Sequence, residues 1–210
     1  MQNRHRFSLL AATLFCMNVG HVVADDDLPV PADELVYCST CHGAQLMGNA
    51  VLKAPRLSGM EAWYIEQQMQ SFKKGWRGTH EDDLIGMEMQ PMAAVLSDGQ
   101  ISQSAEYVSM TRSELPPITV SGDAAKGRAI YPACGACHGR SGEGVAAVGG
   151  PELTASDDWY LVTQLEKFKD GSLGSQPGDT YGTQMRVAAQ VLTDEEAIMD
   201  VVSYISTLRK

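Results

Sequence analysis

Two five-residue stretches of this chain carry reactive chemistry: Cys38-Ser39-Thr40-Cys41-His42 and Cys134-Gly135-Ala136-Cys137-His138. Two intervening residues let one helical turn align both sulfurs along one edge of a macrocycle, so the thiols can add across porphyrin vinyl groups. The histidine that follows is then carried beneath the iron as its proximal ligand. C-x-x-C by itself also fits a zinc site or a redox dithiol. A second copy with the histidine in the same place, and no other cysteine pair competing, points to two covalently bound haem c groups.

The opposite axial position decides what such an iron does. A methionine thioether favours Fe(II), raises the potential and closes the site. A histidine closes it at lower potential, and an empty position suits gas binding or peroxide chemistry. Between His138 and the last helical stretch, Met185 is the sole methionine of the second half, and no spare histidine accompanies it. The first half offers Met87, Met89 and Met92, besides Met47, Met60 and Met69. Met89 occupies the place of Met185, eight residues before Ser97 as Met185 is before Thr193, while Met87 and Met92 stay open as alternatives. His80, among Thr79, Glu81 and Asp82, reads as a solvated surface histidine. Pro55 and Pro151 could each present a carbonyl to the proximal imidazole N–H, fixing the ring, or could simply stiffen a loop corner.

These groups must be positioned by helices, because no alternating strand pattern occurs. The chain repeats itself at an offset of 96 residues. The offset joins Cys38 to Cys134, Pro55 to Pro151, Trp63 to Trp159, Gln68 to Gln164, Phe72 to Phe168, Met89 to Met185 and Leu96 to Leu192. The repeat therefore predicts two halves of one all-α fold. Each half opens with a short helix into its Cys-x-x-Cys-His signal, 32–38 and 123–131, with Pro132 kinking or ending the second. Residues 43–59 read as a loop and 76–88 as polar and irregular. Helices are expected over 60–74 and 156–169, each stopped by a glycine (Gly75, Gly171), with Lys73 and Lys169 as solvated helix-end charges. Trp63, Tyr64, Trp159 and Tyr160 stand at core spacing, or against the porphyrin. The final helices begin at capping boxes, Ser97 with Gln100 and Thr193 with Glu196. Pro116-Pro117 marks a stiff connector that should space the halves.

Residues 1–24 read as a removable secretory signal: Arg4, His5 and Arg6, then an apolar run shorter than a membrane span, then Val22-Val23-Ala24. The mature chain is expected to start near Asp25, in the periplasm, with units over 25–115 and 123–210 joined by 116–122. Cys16 lies in the leader, so all four remaining cysteines serve the two signals and no disulfide is expected. The formal charge is −10, and losing Arg4 and Arg6 makes the chain more acidic still. That argues against nucleic acid and suits a partner with a positive docking face.

The two Cys-x-x-Cys-His signals, the aromatic helix with Tyr160-Leu161 and Gln164-Leu165, Met185 before Leu192-Thr193-Asp194, and the entry Gly122-Asp123-Ala124-Ala125-Lys126-Gly127 together resemble the dihaem cytochromes c4. The resemblance spans nearly all of the mature chain and implies two tandem class I cytochrome c domains, each a few helices around one haem. It also implies iron ligation by His42, Met89, His138 and Met185, with Cys38, Cys41, Cys134 and Cys137 as attachment points. The first half departs from it by lacking the glycine-aspartate entry. The implied function is periplasmic electron transfer between a respiratory complex or dehydrogenase and a terminal oxidase or reductase. A subunit of a dehydrogenase for sulfur compounds or alcohols has the same architecture. A dihaem peroxidase is the enzymatic alternative, and it needs an openable iron with acid–base groups nearby.

Overall fold

The computed structural model describes residues 33–209, with side chains from Val36 onward; the signal and the acidic lead-in lie outside them. Among the described residues the fold is all helical, with only two isolated β-bridges. The first half contains α1 (Asp33–His42), α2 (Ala62–Lys73), α3 (Leu84–Ala94) and α4 (Asp98–Met110). The second contains α5 (Ala124–Ile130), α6 (Pro132–His138), α7 (Asp158–Asp170), α8 (Thr180–Ala189) and α9 (Glu195–Thr207).

Each half has its own core. Ile65, Met69 and Phe72 of α2 meet Ile101, Ala105 and Val108 of α4 in the first. Tyr131 packs with Ile198, Val201, Val202 and Ile205 of α9 in the second. These positions recur at three- and four-residue intervals, so each helix buries one stripe. Gly127 lets α5 cross α9 closely, since a Cβ there would lie 2.0 Å from the Asp200 carbonyl oxygen.

Helix ends follow local chemistry. Ser97 and Gln100 form the expected capping box before α4. The corresponding box before α9 does not form. Asp194 caps instead, accepting from the Ala197 amide at 2.8 Å, because its carboxylate is a stronger acceptor one residue nearer the helix. Helix α3 begins inside the stretch expected to be irregular, 76–88, and α8 stands at the matching place in the second half. Gly86 and Pro91 lower the helical signal of α3, but Asp83 caps it through the Gly86 amide, as Asp179 caps α8 through Gly182. A single 3-10 turn, Ala44–Leu46, interrupts the first loop. Lys73 and Lys169 are not solvated helix-end charges. Lys73 donates to the Leu96 carbonyl at 2.8 Å and pairs with Asp98, and Lys169 donates to the Leu192 carbonyl, so each ties its helix to the turn before the last one.

The halves touch directly; the Pro-Pro connector does not hold them apart. Arg56, 4% exposed, donates to the Ser113 and Glu114 carbonyls just ahead of the connector and to Ala155 of the second half, while its own amide donates to Asp157 at 2.6 Å. Arg209 reaches Pro116 and Ser156, and Arg77 reaches Gln164 at 2.9 Å. Asp158, fully buried, receives the Thr119 and Val120 amides and the Thr119 hydroxyl, docking the connector on α7. Burial pushes its carboxyl up, but these donors outweigh it and hold the group below the usual carboxylate range.

A carboxylate lowered in the folded state contributes stability that is complete above the ordinary value of about 3.9 and lost as pH falls through the folded value. Asp158→Ala should therefore lower the unfolding free energy by about 2 kcal/mol at neutral pH. In urea titrations repeated at falling pH, the gap between wild type and variant should narrow once pH drops below the ordinary carboxylate range.

Candidate functional site

The two histidines are held identically. His42 and His138 end α1 and α6, are each 8% exposed, and donate from Nδ1 to the carbonyls of Pro55 at 2.7 Å and Pro151 at 2.8 Å. Burial lowers both imidazole pKa values, and the carbonyl hydrogen bond opposes that only in part. The rings are therefore neutral at pH 7, with the proton on Nδ1 and the lone pair on Nε2 free for a metal. That disposition suits a proximal ligand.

The loop that delivers each proline is written into the backbone. Glycine follows both histidines, at φ +79° for Gly43 and +82° for Gly139, and turns the chain sharply out of the helix. The Gly48 and Gly144 amides then donate back to the His42 and His138 carbonyls, both at 2.8 Å. The bridges Asn49↔Ala54 and Val145↔Gly150 close each loop just before its proline. The proline is thus a carbonyl presenter as well as a corner.

In the second half, Cys134, Cys137, His138 and Met185 border one cavity. Its walls are mainly apolar, with Leu161, Leu165 and Phe168 from α7. A flat apolar macrocycle attached through two thiols fits this donor set. The thiols differ: Cys134 is partly buried and Cys137 exposed, as Cys38 and Cys41 are in the first half. Burial raises the pKa of both inner thiols, Cys38 and Cys134.

In the first half, Cys38 and Met89 pack on the same core, beside Leu57 and Leu96. Met89 is half-buried, whereas Met87 and Met92 on the same helix are 47% and 50% exposed. Met69 belongs to the core. His80 sits in an exposed turn 3.6 Å from Asp82. Tyr64 and Tyr160 both line the cavity, so these two tyrosines are not plain core, and each ring meets its tryptophan neighbour edge-on. Arg77, not singled out from sequence, also lines it, reaching across from the first half. Its only sequence signal is the mismatch with Leu173, which holds the equivalent place in the second half.

A family model described as Cytochrome c matches residues 34–112 and again 124–209. A thiosulfate dehydrogenase electron acceptor from Stutzerimonas stutzeri is 32% identical over 182 residues, covering 81% of this chain and 78% of its own. A cytochrome c4 from Pseudomonas aeruginosa is 30% identical over 208 residues, covering 95% and 96%. Among solved structures, an Acidithiobacillus ferrooxidans cytochrome c4 superposes with a TM-score of 0.65 at 27% identity, covering 81% of this chain and 98% of that one.

The glycine after each histidine supports a prediction. In Gly139→Ala the new Cβ would need a left-handed backbone and would meet the Glu143 side chain at 2.4 Å. The substitution should destabilise the second half by about 1–2 kcal/mol. It should also release the His138 ring, seen as a greater loss of the second haem's spectrum than of the first's during thermal unfolding.

Proposed function

This chain belongs to the cytochrome c family and carries two covalently bound haem c groups, and from that premise we propose that it relays electrons outside the cytoplasm between a dehydrogenase or respiratory complex and a terminal oxidase or reductase. The chain is a dihaem electron-transfer cytochrome. The observation that carries the finer reading is the paired histidine, buried, neutral and held by a proline carbonyl in each half, with Met185 bordering the same cavity as His138 and Met89 packing on the same core as Cys38.

We assign attachment to Cys38 and Cys41 in the first unit and to Cys134 and Cys137 in the second. His42 with Met89, and His138 with Met185, hold the two irons. Bound haem supplies the one-electron chemistry. The protein fixes each imidazole through a proline carbonyl, and Met89 and Met185 would offer each iron a thioether among apolar side chains. With a histidine and a methionine to hold each iron, bound haem would keep no open place for a substrate, which favours a carrier over a peroxidase. Units over 25–115 and 123–210, joined by 116–122 after loss of residues 1–24, complete the assignment, with export to the periplasm as its consequence. Among the described residues no helix is long and apolar enough to cross a membrane.

The similarity to a thiosulfate dehydrogenase electron acceptor favours a periplasmic sulfur-compound dehydrogenase as donor, and makes a tightly bound subunit of such an enzyme the second reading. The acidic surface suits a donor with a basic docking face.

The purified secreted protein should contain two covalent haems per chain and react slowly with carbon monoxide and peroxide at neutral pH. Met89→His and Met185→His should each abolish one thioether-to-iron absorption signal and lower one of two reduction potentials. If both variants keep the signal and the potentials, the ligand assignment fails. A thiosulfate dehydrogenase supplied with thiosulfate should reduce the oxidised protein rapidly, with a rate that falls as salt rises. Elution from the native host as a lone species separates the free carrier from the subunit.

A further inference from the structure

The two methionine-bearing helices are built alike but held differently. Asp83, 1% exposed, caps α3, with Oδ1 accepting from the Gly86 amide at 3.2 Å and Oδ2 from the Gly78 amide at 3.1 Å. A third donor comes from the other half of the molecule: Lys167 of α7 reaches Asp83 Oδ1 at 2.5 Å, with its own side chain only 14% exposed. Two charges so far from water persist only as partners, so this contact is a tie across the domain boundary.

The internal repeat supplies the comparison. Asp179 stands before α8 where Asp83 stands before α3, and it accepts from Gly182 at 2.9 Å in the same way. The residue that matches Lys167 is Ser71, and its hydroxyl turns back to the Gln67 carbonyl of its own helix at 2.8 Å. Among the described contacts, no cation of the first half reaches Asp179 in return. An ion pair bolts α3 to the opposite half, whereas the cap of α8 takes its hydrogen bond from within its own.

We propose that Lys167 is a positioning residue for the first haem iron: by fixing the start of α3 from across the domain boundary, it holds Met89 in place and makes that axial bond depend on contact between the halves. This rests on the assignment of Met89 as ligand. The second iron, capped by Met185, lacks such a dependence. A partner that loosens the boundary on docking would therefore alter the first iron's axial ligation, whereas its effect on the second haem would come through Arg77 in the cavity wall and not through Met185.

The test uses the ferric holoprotein and potassium cyanide at neutral pH, because cyanide binds an iron only after its thioether has left. Two uptake phases are assigned by Met89→His and Met185→His, each of which removes one. Lys167→Met should accelerate the first-haem phase about tenfold or more and lower the first potential, with the second phase as an unchanged internal control. Lys167→Arg should stay near wild type. Lys167→Met combined with Asp83→Asn, which keeps the cap but removes both charges, should remain fast.

Three results would overturn the proposal: an unchanged first phase, equal acceleration of both phases, or a double variant back at the wild-type rate. The last would trace the effect to a stranded carboxylate and not to the lost tie. If Met89→His removes neither phase, the ligand assignment itself falls, which is a different failure from an intact assignment with an indifferent Lys167.

Discussion

Everything functional in this molecule depends on a buried imidazole kept neutral and aimed by a proline carbonyl. The hydrogen bond at Nδ1 fixes which nitrogen carries the proton, and that leaves the other nitrogen as a donor to iron. Burial reinforces the same choice, because a cationic ring would be poorly solvated there. The loop between histidine and proline exists to make that bond: a left-handed glycine, an amide returning to the histidine carbonyl and a single bridge recur in both halves. The surrounding helices then need only exclude water and, on the proposed ligation, offer a sulfur.

Repetition gives the chain two such sites, but the boundary between the halves breaks their equivalence. Arg56, Arg77 and Lys167 have no counterparts of like chemistry at the matching positions, which hold Glu152, Leu173 and Ser71. Each of the three cations crosses from one half to the other or to the connector. A duplicated fold has thereby acquired an asymmetric interface. Two haems in differently charged surroundings have a physical reason to differ in potential, which is what gives a relay a direction.

The two Cys-x-x-Cys-His signals, the final helix of each half and the stopping glycines were legible because their signals are local: fixed spacing, three- and four-residue periodicity, and a repeat that checks itself. Helix α3 was not, because Gly86 and Pro91 weaken its propensity while its Asp83 cap relies on burial beside the other half. The cap before α9 shifted from Thr193 to Asp194 since two adjacent acceptors compete and only backbone geometry chooses between them. Lys73 and Lys169 looked like ordinary helix-end charges, and their carbonyl partners lie 23 residues further along the chain.

Sequence alone determined that there are two haem-attachment signals in two matching helical halves, because covalent spacing and helical period are properties of short segments. Tertiary structure alone decided how those halves meet: that they touch, that a proline carbonyl reaches each ring, and that one methionine helix is tied to its neighbour by a buried ion pair. Such contacts join residues far apart in the chain, and their strength comes from exclusion of water, which no local pattern of residues records.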